Sequence, residues 1–193
     1  MEKIEKRTDK REHLIEVAAE LFNRLGYQAA GVDRVIAEAG IAKTTLYRHF
    51  KSKDDLIIAA LTRIDEDFRT EMREAVDKMA TDPAQKLLAT FDFLENWFKG
   101  DVFYGCPFMG AASEHSERNH PVFQSAIIHK RLVVAYLEEL AHAAGLNNPK
   151  ELAEEISMLQ DGATSVAHVL GQPTAARQAK QIAAKLIEAA SPK

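Results

Sequence analysis

The sequence predicts an all-α protein with two domains. Its 193 residues include only 9 glycines and 6 prolines, and the long stretches between them are rich in Ala, Glu, Leu and Lys, which favour helix. Apolar residues recur at intervals of three and four, as they do along one face of a helix. We predict a three-helix domain over residues 1–55 and a helical bundle over residues 56–193.

The first helix is predicted over Thr8–Leu25, and Gly26 ends it because glycine readily takes a left-handed conformation after a helix. Its apolar stripe consists of Leu14, Val17, Ala18, Leu21, Phe22 and Leu25. A short second helix follows, with an apolar face that consists of Val32, Val35, Ile36 and Ala39. Gly40 then reverses the chain, since a tight turn between helices favours a residue that tolerates positive φ.

The third helix is predicted over Lys43–Phe50 and has two distinct sides. At about 100° per residue, Leu46 and Phe50 point to one side, while Thr44 and Arg48 point away from them. A helix that rests on a protein core through one side and offers polar side chains on the other is suited to enter the major groove of DNA. The segment is therefore interpreted as the DNA-reading helix of a helix-turn-helix.

Prolines and capping residues predict the remaining helices. Ser52 caps a long helix from Lys53 to about Met79, which we expect to connect the two domains as a rigid lever. The later helices are predicted from Pro83 to Phe98, from Pro107 over a short stretch, from Pro121 to Ala144, from Pro149 to Gly171 and from Pro173-Thr174 to the residues before Ser191.

Residues 39–53 contain a spaced set of residues that resembles the TetR family of one-component transcriptional regulators. The set consists of Ala39-Gly40, Ala42, Thr45-Leu46-Tyr47, His49-Phe50 and Ser52-Lys53. The resemblance implies an all-helical regulator in which roughly the first quarter of the chain binds DNA and the C-terminal bundle binds a small molecule and dimerises. Two residues depart from the family's pattern. Gly31 stands where Ser or Thr usually caps the second helix, and Ala42 replaces a common serine.

The outward side of the third helix supplies the predicted DNA contacts. Thr44 and Arg48 are predicted to meet base edges, because arginine can donate two hydrogen bonds to guanine and threonine can meet thymine or a polar edge. Lys43 is predicted to reach a base or a phosphate. Contacts to the DNA backbone, which set register without reading sequence, are predicted for Thr45, Tyr47, His49, Lys51 and Lys53. For Tyr47 and His49 the alternative is packing between the third and fourth helices.

The charge distribution is consistent with this assignment. The net charge is −4, but residues 1–52 carry a small positive excess and the rest of the chain is acidic. Lys3, Lys6 and Arg7 form a candidate basic arm along the groove. The alternative is an ordinary flexible N-terminus.

Two of the later helices, opened by Pro121 and Pro149, predict a homodimer. Each has apolar or small residues suited to close helix packing. The candidate interface residues are Val133, Leu137, Leu140, Gly162, Ser165 and Val169. The resemblance implies that these helices form a four-helix interface with a second subunit, which would bring two recognition helices to the two halves of a palindrome. The alternative is a monomer whose small residues tighten internal packing.

Aromatic residues are concentrated between residues 91 and 108, which predicts an effector pocket for an apolar or aromatic small molecule. The candidate lining residues are Phe91, Leu94, Trp97, Phe98, Phe103, Tyr104, Phe108 and Met109. The candidate polar contacts are Ser113, Glu114, His115, His129, Asp161 and His168. Ordinary core packing explains the aromatic residues equally well.

The single cysteine, Cys106, precedes a proline and is predicted to cap a short helix, whose dipole favours a reactive thiolate. This predicts an alternative regulator that senses oxidants or electrophiles. The competing interpretation is a structural entry to the helix. Cys106, Glu114, His115, Glu117 and His120 match no closed tetrahedral metal pattern, so we expect no metal and no other cofactor.

An enzyme is the competing class of protein, with Cys106 and His115 as nucleophile and base. The sequence supplies neither an orienting acid nor a phosphate-binding glycine loop, so we expect no enzymatic activity. A helical partner-binding protein without a role on DNA would leave the outward side of the third helix unexplained.

The expected function is a DNA-binding transcriptional regulator that binds a palindromic operator as a dimer and is released by a small-molecule effector. Repression is expected, since a dimer on its operator blocks polymerase without further contacts, and activation remains open. A single cysteine, a charged N-terminus and the lack of a long apolar run predict a cytoplasmic protein.

Overall fold

The structure, a computed structural model, describes residues 2–192, with side chains from residue 10 onwards. The described residues form helices and no strand, so the all-helical prediction is confirmed. The helices are α1 (Glu2–Leu25), α2 (Val32–Ala39), α3 (Lys43–His49), α4 (Lys53–Met79), α5 (Pro83–Phe98), α6 (Pro107–Glu114), α7 (Pro121–Ala143), α8 (Pro149–Leu170) and α9 (Ala175–Ala190). None of these described helices combines the length and the apolar character that a membrane crossing requires.

Capping residues and prolines place most helix starts where the sequence predicts them. α4 begins after Ser52, whose hydroxyl accepts a hydrogen bond from the backbone N–H of Asp55 at 3.0 Å. Helices α5 to α8 each begin at a proline, as predicted. The main difference is α1, which begins at Glu2 rather than Thr8. The intervening residues include Glu, Lys and Arg, which are good helix formers without an apolar stripe.

The chain divides into two compact units that do not follow its sequence order. The first unit contains the chain up to Asp67 together with Pro107–Ile128, and the second contains Phe68–Cys106 and the chain from His129. Helices α4 and α7 each contribute to both units. The first unit therefore includes α6 and the first half of α4, which the predicted division at residue 55 does not anticipate. The division at residue 55 rests on the expectation that the long fourth helix connects two domains, and it stays a prediction.

An apolar core holds the N-terminal helices together in the first unit. Its buried side chains include Leu14, Ile15, Ala18, Leu21, Phe22, Val35, Leu46, Phe50, Leu56 and Ile57. Two residues of the predicted α1 stripe behave differently. Val17 is half-buried, and Leu25 is exposed because it is the last residue of the helix. Helix α3 is therefore held by a core to which α1, α2 and α4 all contribute.

Helix α9 packs closely against α5 and α8 in the second unit. Its buried side is built almost entirely from alanine, at positions 175, 176, 179 and 183. Such small side chains let helix axes approach, since the distance between packed helices is set by the residues at the contact. Larger side chains from the other helices fill the rest of this core, including Leu87, Phe91, Leu94, Leu137, Leu140 and Ile156.

A buried carboxylate ties α5 to α9. Glu95 has a side chain only 11% exposed, and it accepts a hydrogen bond from Arg177 Nη2 at 2.6 Å. Lys99 Nζ lies 2.8 Å from the same carboxylate. The hydrogen bonds from Lys99 and Arg177 hold the pKa of Glu95 below its usual value, although burial acts in the opposite direction. Glu95 is therefore ionised in the native fold at neutral pH.

We predict that Glu95→Gln lowers the free energy of unfolding at neutral pH by about 1 kcal/mol, because two cationic partners lose a charged acceptor. The folded-state pKa of Glu95 lies below its unfolded value. The contribution of the charge is therefore fully present above pH of about 4.3 and is lost as the pH falls through the folded pKa. Thermal unfolding from pH 7 downwards should show the Tm difference between the two proteins shrinking.

The matched control for this prediction is Glu74→Gln. Glu74 pairs with Lys78 at 3.6 Å on the surface of α4, where both side chains are well exposed. Such pairs contribute little, so Tm should hardly change. An equal loss of Tm at neutral pH in the two variants would contradict the role assigned to Glu95.

Candidate nucleic-acid interface

Helix α3 is fixed by two side chains on its inner side. Leu46 and Phe50 are both buried, as the sequence predicts. The guanidinium carbon of Arg11 on α1 lies 5.4 Å from the centre of the Phe50 ring, and this cation–π contact connects α1 to the Phe50 side chain. The opposite side of α3 is consequently fixed in direction, although the helix has only seven residues.

The turn between α2 and α3 depends on Gly40. Its φ is 62°, a left-handed conformation, and the N–H of Ile41 donates to the carbonyl of Ile36 at 3.2 Å. This arrangement ends α2 with satisfied backbone groups. Gly31 and Ala42 occupy the N-caps of α2 and α3, and neither helix has a side-chain cap. With these two departures from the family's pattern, backbone carbonyls accept hydrogen bonds in both first turns, as in the bond from Arg34 N to Gly31 O at 3.0 Å and the bond from Thr45 N to Ala42 O at 2.8 Å.

The outward side of α3 presents polar side chains to solvent. Thr44 and Arg48 are exposed, and Tyr47 is 47% exposed. Thr45 and His49 are half-buried. The predicted directions along the helix are thus confirmed. The division into base-reading and phosphate-binding residues stays a prediction.

Lys43 is paired within the same surface. Its Nζ donates to Oδ1 of Asp33 on α2 at 2.9 Å, and this hydrogen bond raises the pKa of Lys43. Both side chains are exposed, so water and salt weaken the pair. A phosphate that approaches Lys43 would compete with Asp33 for the ammonium group.

The two other lysines differ in their surroundings. Lys53 is half-buried, and its Nζ donates to the carbonyl of Gln28 at 3.2 Å. Lys51 is exposed. The backbone N–H of Lys51 donates to Asp55, which fixes the start of α4. Lys51 therefore fits a phosphate contact better than Lys53, whose charge also holds the turn after α1.

His49 lies where α3 meets α4. It lines an open groove of about 610 Å³ together with residues of α1 and α4, among them Arg11 and Ile58. Its ring centre is 6.4 Å from that of Phe50. This position fits the packing alternative for His49 as well as a contact with DNA.

Sequence reasoning misses part of this surface. Arg34 on α2 is a well-exposed cation, 3.7 Å from Glu38. Its position between the apolar residues of α2 is a signal that could have identified it. The side chains of Lys3, Lys6 and Arg7, the candidate arm, lie outside the described residues.

The predicted effector residues are divided between the two units. Phe91, Leu94 and Phe98 are buried in the core of the second unit, where Trp97 and Phe103 pack against them. The second unit also contains His129, which is buried, and Asp161, which pairs with Lys130. The other three residues belong to α6 in the first unit. Phe108 is buried, whereas Met109 and Ser113 are exposed.

Phe68 organises an aromatic cluster in the second unit that the sequence indicates only in part. Its ring makes edge contacts with Phe93 and Trp97, both at 5.4 Å between centres, and with His129 at 5.9 Å. Trp97 continues the cluster to Phe103 at 4.9 Å. Phe68 and Phe93 come from different helices, so their contact cannot be read from local sequence.

Two buried polar residues in the same unit also escape sequence reasoning. Gln160 on α8 donates from Nε2 to the hydroxyl of Thr90 on α5 at 2.8 Å, and both side chains are buried. The Thr90 hydroxyl in turn donates to the carbonyl of Leu87 at 2.6 Å. Polar groups inside an apolar bundle are hydrogen-bonded in this way because leaving them unpaired is costly.

Cys106 directly precedes α6, as predicted, and is half-buried. Its predicted redox role stays a prediction. Among the described residues, no group of three His, Cys, Asp or Glu side chains is arranged to hold a metal ion.

The structure corrects half of the predicted dimer surface. Val133, Leu137 and Leu140 are buried in the chain's own core, so they cannot supply an exposed interface. Gly162, Ser165 and Val169 on α8 are exposed, in agreement with the prediction.

Comparison with known proteins agrees with this geometry. Residues 14–60 match the family model described as "Bacterial regulatory proteins, tetR family". Over 98 residues the chain is 38% identical to the HTH-type transcriptional activator FasR of Mycolicibacterium smegmatis. That match covers 49% of this chain and 44% of FasR, so the chain spans less than half the length of this relative.

Two longer matches cover most of the chain. The chain is 27% identical over 158 residues to the HTH-type transcriptional regulator LmrA of Bacillus subtilis. This match covers 80% of the chain and 84% of LmrA. A crystal structure of a TetR-family transcriptional regulator from Streptomyces coelicolor has a TM-score of 0.87 and 27% identity. The match covers 95% of this chain and 90% of that one. The similarity therefore extends beyond the helix-turn-helix to the C-terminal helices.

We predict that Arg48→Ala weakens binding to a preferred duplex by about 1–3 kcal/mol and relaxes specificity at one symmetric base position. The physical reason is the loss of a bidentate contact to a base edge. Competition with single-base variants of the duplex measures this. Lys51→Ala is the control, since loss of a phosphate contact weakens all sequences about equally. Uniform weakening by Arg48→Ala would show that this side chain contacts only the DNA backbone.

Proposed function

Because the chain belongs to the TetR family of bacterial transcriptional regulators, we propose that it binds a palindromic operator as a homodimer and responds to a small-molecule effector. The observation that carries this proposal is the solvent-facing side of α3, where Thr44, Tyr47 and Arg48 are exposed over two buried anchors. A helix held in this way can enter the major groove without losing its own support.

Repression is the proposed direction. A dimer bound across a promoter excludes polymerase by volume alone and needs no further protein surface. Activation is the second candidate, because FasR, which is similar over about half of this chain, is named as an activator. Reporter expression with and without the protein decides between the two directions.

The proposed dimer surface lies on α8. Met158 and Val169 are each 73% exposed, and Gly162, Ser165 and Val166 fall on the same side of the helix. Apart from the adjacent residues and the nearby backbone of α8 itself, no atom of the described residues lies within 4 Å of the position that a Gly162 Cβ would occupy, so a partner helix can approach closely. Exposed apolar strips of this kind mark interaction sites. They support dimerisation, which places two recognition helices on one face.

The proposed effector site is in the second unit. Its aromatic cluster around Phe68, Trp97 and Phe103 supports an apolar or aromatic effector. The same unit also contains the hydrogen-bonded pair of Thr90 and Gln160, and we propose that this pair orients a polar group of such a molecule.

Selection of bound duplexes from a random library tests the DNA-binding proposal. We predict enrichment of a palindrome whose half-sites are about one helical turn apart. If each dimer neutralises roughly 6–10 phosphates, affinity falls by about 10³–10⁵ between 50 and 200 mM salt. Failure to enrich any duplex over random competitor at low ionic strength would contradict the proposal.

We predict that Val169→Glu converts the dimer to a monomer, because it replaces an exposed apolar side chain of the α8 strip with a charge. Sedimentation of the variant and of the unaltered protein measures the change, and circular dichroism verifies the helical fold. Val102→Glu is the matched control, since Val102 is 70% exposed in the loop between α5 and α6. Equal dimerisation of the two variants would exclude this surface as the interface.

A further inference from the structure

Helix α6 is held at both ends by the turn that follows α1. At its start, the hydroxyl of Tyr27 donates to the carbonyl of Pro107 at 2.9 Å, and the Tyr27 side chain is only 2% exposed. At its end, Glu114 contacts the backbone of the same turn. The turn after α1 in the first unit therefore contacts both ends of α6.

The Glu114 carboxylate binds two consecutive backbone N–H groups. Oε1 accepts from Tyr27 N at 2.9 Å, and Oε2 accepts from Gln28 N at 2.6 Å. Both oxygens are engaged, and an ionised acceptor makes such bonds roughly twice as strong as neutral ones. Neither a glutamine, which has one oxygen, nor a shorter aspartate reproduces this pair of contacts.

Gly26 makes room for this carboxylate. Its φ is +90°, and a Cβ at this residue would lie 3.0 Å from Glu114 Oε1. The glycine thus serves two purposes, since it ends α1 and leaves space for the approaching acid. On the α6 side, the corresponding Cβ position of Gly110 lies 3.6 Å from the Tyr27 ring, which is an ordinary close contact.

The turn at residues 26–28 is also connected to the start of α4, which begins shortly after α3 ends. The Gln28 carbonyl accepts a hydrogen bond from Lys53 Nζ at 3.2 Å. A second route runs from His115, which follows Glu114, to His120, with ring centres 4.9 Å apart. His120 Nε2 lies 3.5 Å from the carboxylate of Asp54. Both routes end in the first turn of α4.

We infer that Glu114 is a positioning residue for the recognition helix. Its carboxylate fixes the turn at residues 26–28, and the turn and Lys53 fix the start of α4 relative to α3. Loss of the carboxylate leaves the phosphate-binding surface in place but lets the base-reading side of α3 change its direction. This inference rests on the proposed DNA-binding function. It predicts a selective loss of sequence discrimination rather than a general loss of binding.

The test compares Glu114→Gln with Glu117→Gln in the full chain. Glu117 is exposed in the following loop, so this control removes the same charge close by. The measured quantity is the ratio of dissociation constants for random duplex and for the duplex that the unaltered protein selects. We expect Glu114→Gln to lower this ratio about tenfold, the effect of losing one charge-assisted hydrogen bond. Affinity for random duplex should remain within about twofold, and Glu117→Gln should change neither value.

A second readout is specific to the contact itself. Amide hydrogen exchange at Tyr27 and Gln28 should be slow in the unaltered protein and in Glu117→Gln, and fast in Glu114→Gln. If Glu114→Gln does not fold, Glu114→Asp takes its place, because the shorter acid keeps the charge and reaches at most one of the two amides.

The outcomes separate the two proposals. The role of Glu114 alone is overturned if the unaltered protein selects a duplex and the Glu114→Gln variant keeps the same discrimination ratio. Glu114→Asp takes its place in this comparison if Glu114→Gln does not fold. A parallel loss of affinity for both duplexes also overturns it, because that result describes general destabilisation. If the unaltered protein selects no duplex, the proposed function fails, and the positioning role fails with it.

Discussion

The candidate DNA-binding surface depends on the burial of Leu46 and Phe50. A helix of seven residues is far too short to be stable in water by itself. The loss of conformational entropy in forming the first turn exceeds the free energy gained from its hydrogen bonds. Burying two large apolar side chains contributes about 3–6 kcal/mol, which is enough to hold such a helix on a core. The exposed residues of α3 have a defined direction because these two side chains are buried in the core.

The same dependence explains which parts of the fold could be predicted. Prolines mark the starts of α5 to α8, and glycines with positive φ follow the ends of α7 and α8, so these positions follow from local backbone chemistry. The start of α1 does not, because residues 2–7 form helix readily without an apolar face to reveal it. On α7, both sides carry apolar residues. Helical periodicity therefore could not tell that Val133 and Leu137 face the core while Leu132 is exposed.

The sequence predicts which way the side chains of the candidate site point, but not which partners they bond. A rotation of 100° per residue is sufficient to place Thr44 and Arg48 opposite Leu46. The bond from Lys43 to Asp33 spans ten residues, and the bond from Lys53 to Gln28 spans twenty-five. Such partners are set by tertiary packing rather than by local sequence. The assignment of α6 to the DNA-binding unit was hidden for the same reason, since Tyr27 and Glu114 are 87 residues apart.

In the proposed function, the Glu114 contact is a candidate for the contact that an effector changes. An effector that changes operator affinity supplies a coupling free energy of about 1–3 kcal/mol, and each hydrogen bond at Glu114 contributes less than the roughly 1.5–3 kcal/mol typical of a charged acceptor, because Glu114 is exposed and solvent screens it. A joint of this strength holds the turn in the absence of an effector and lies within reach of what ligand binding can oppose. A joint made from a fully packed apolar core would be too strong to open. The chain crosses between the two units at three places, between Asp67 and Phe68, between Cys106 and Pro107 and between Ile128 and His129, and the second of these crossings leads directly into α6.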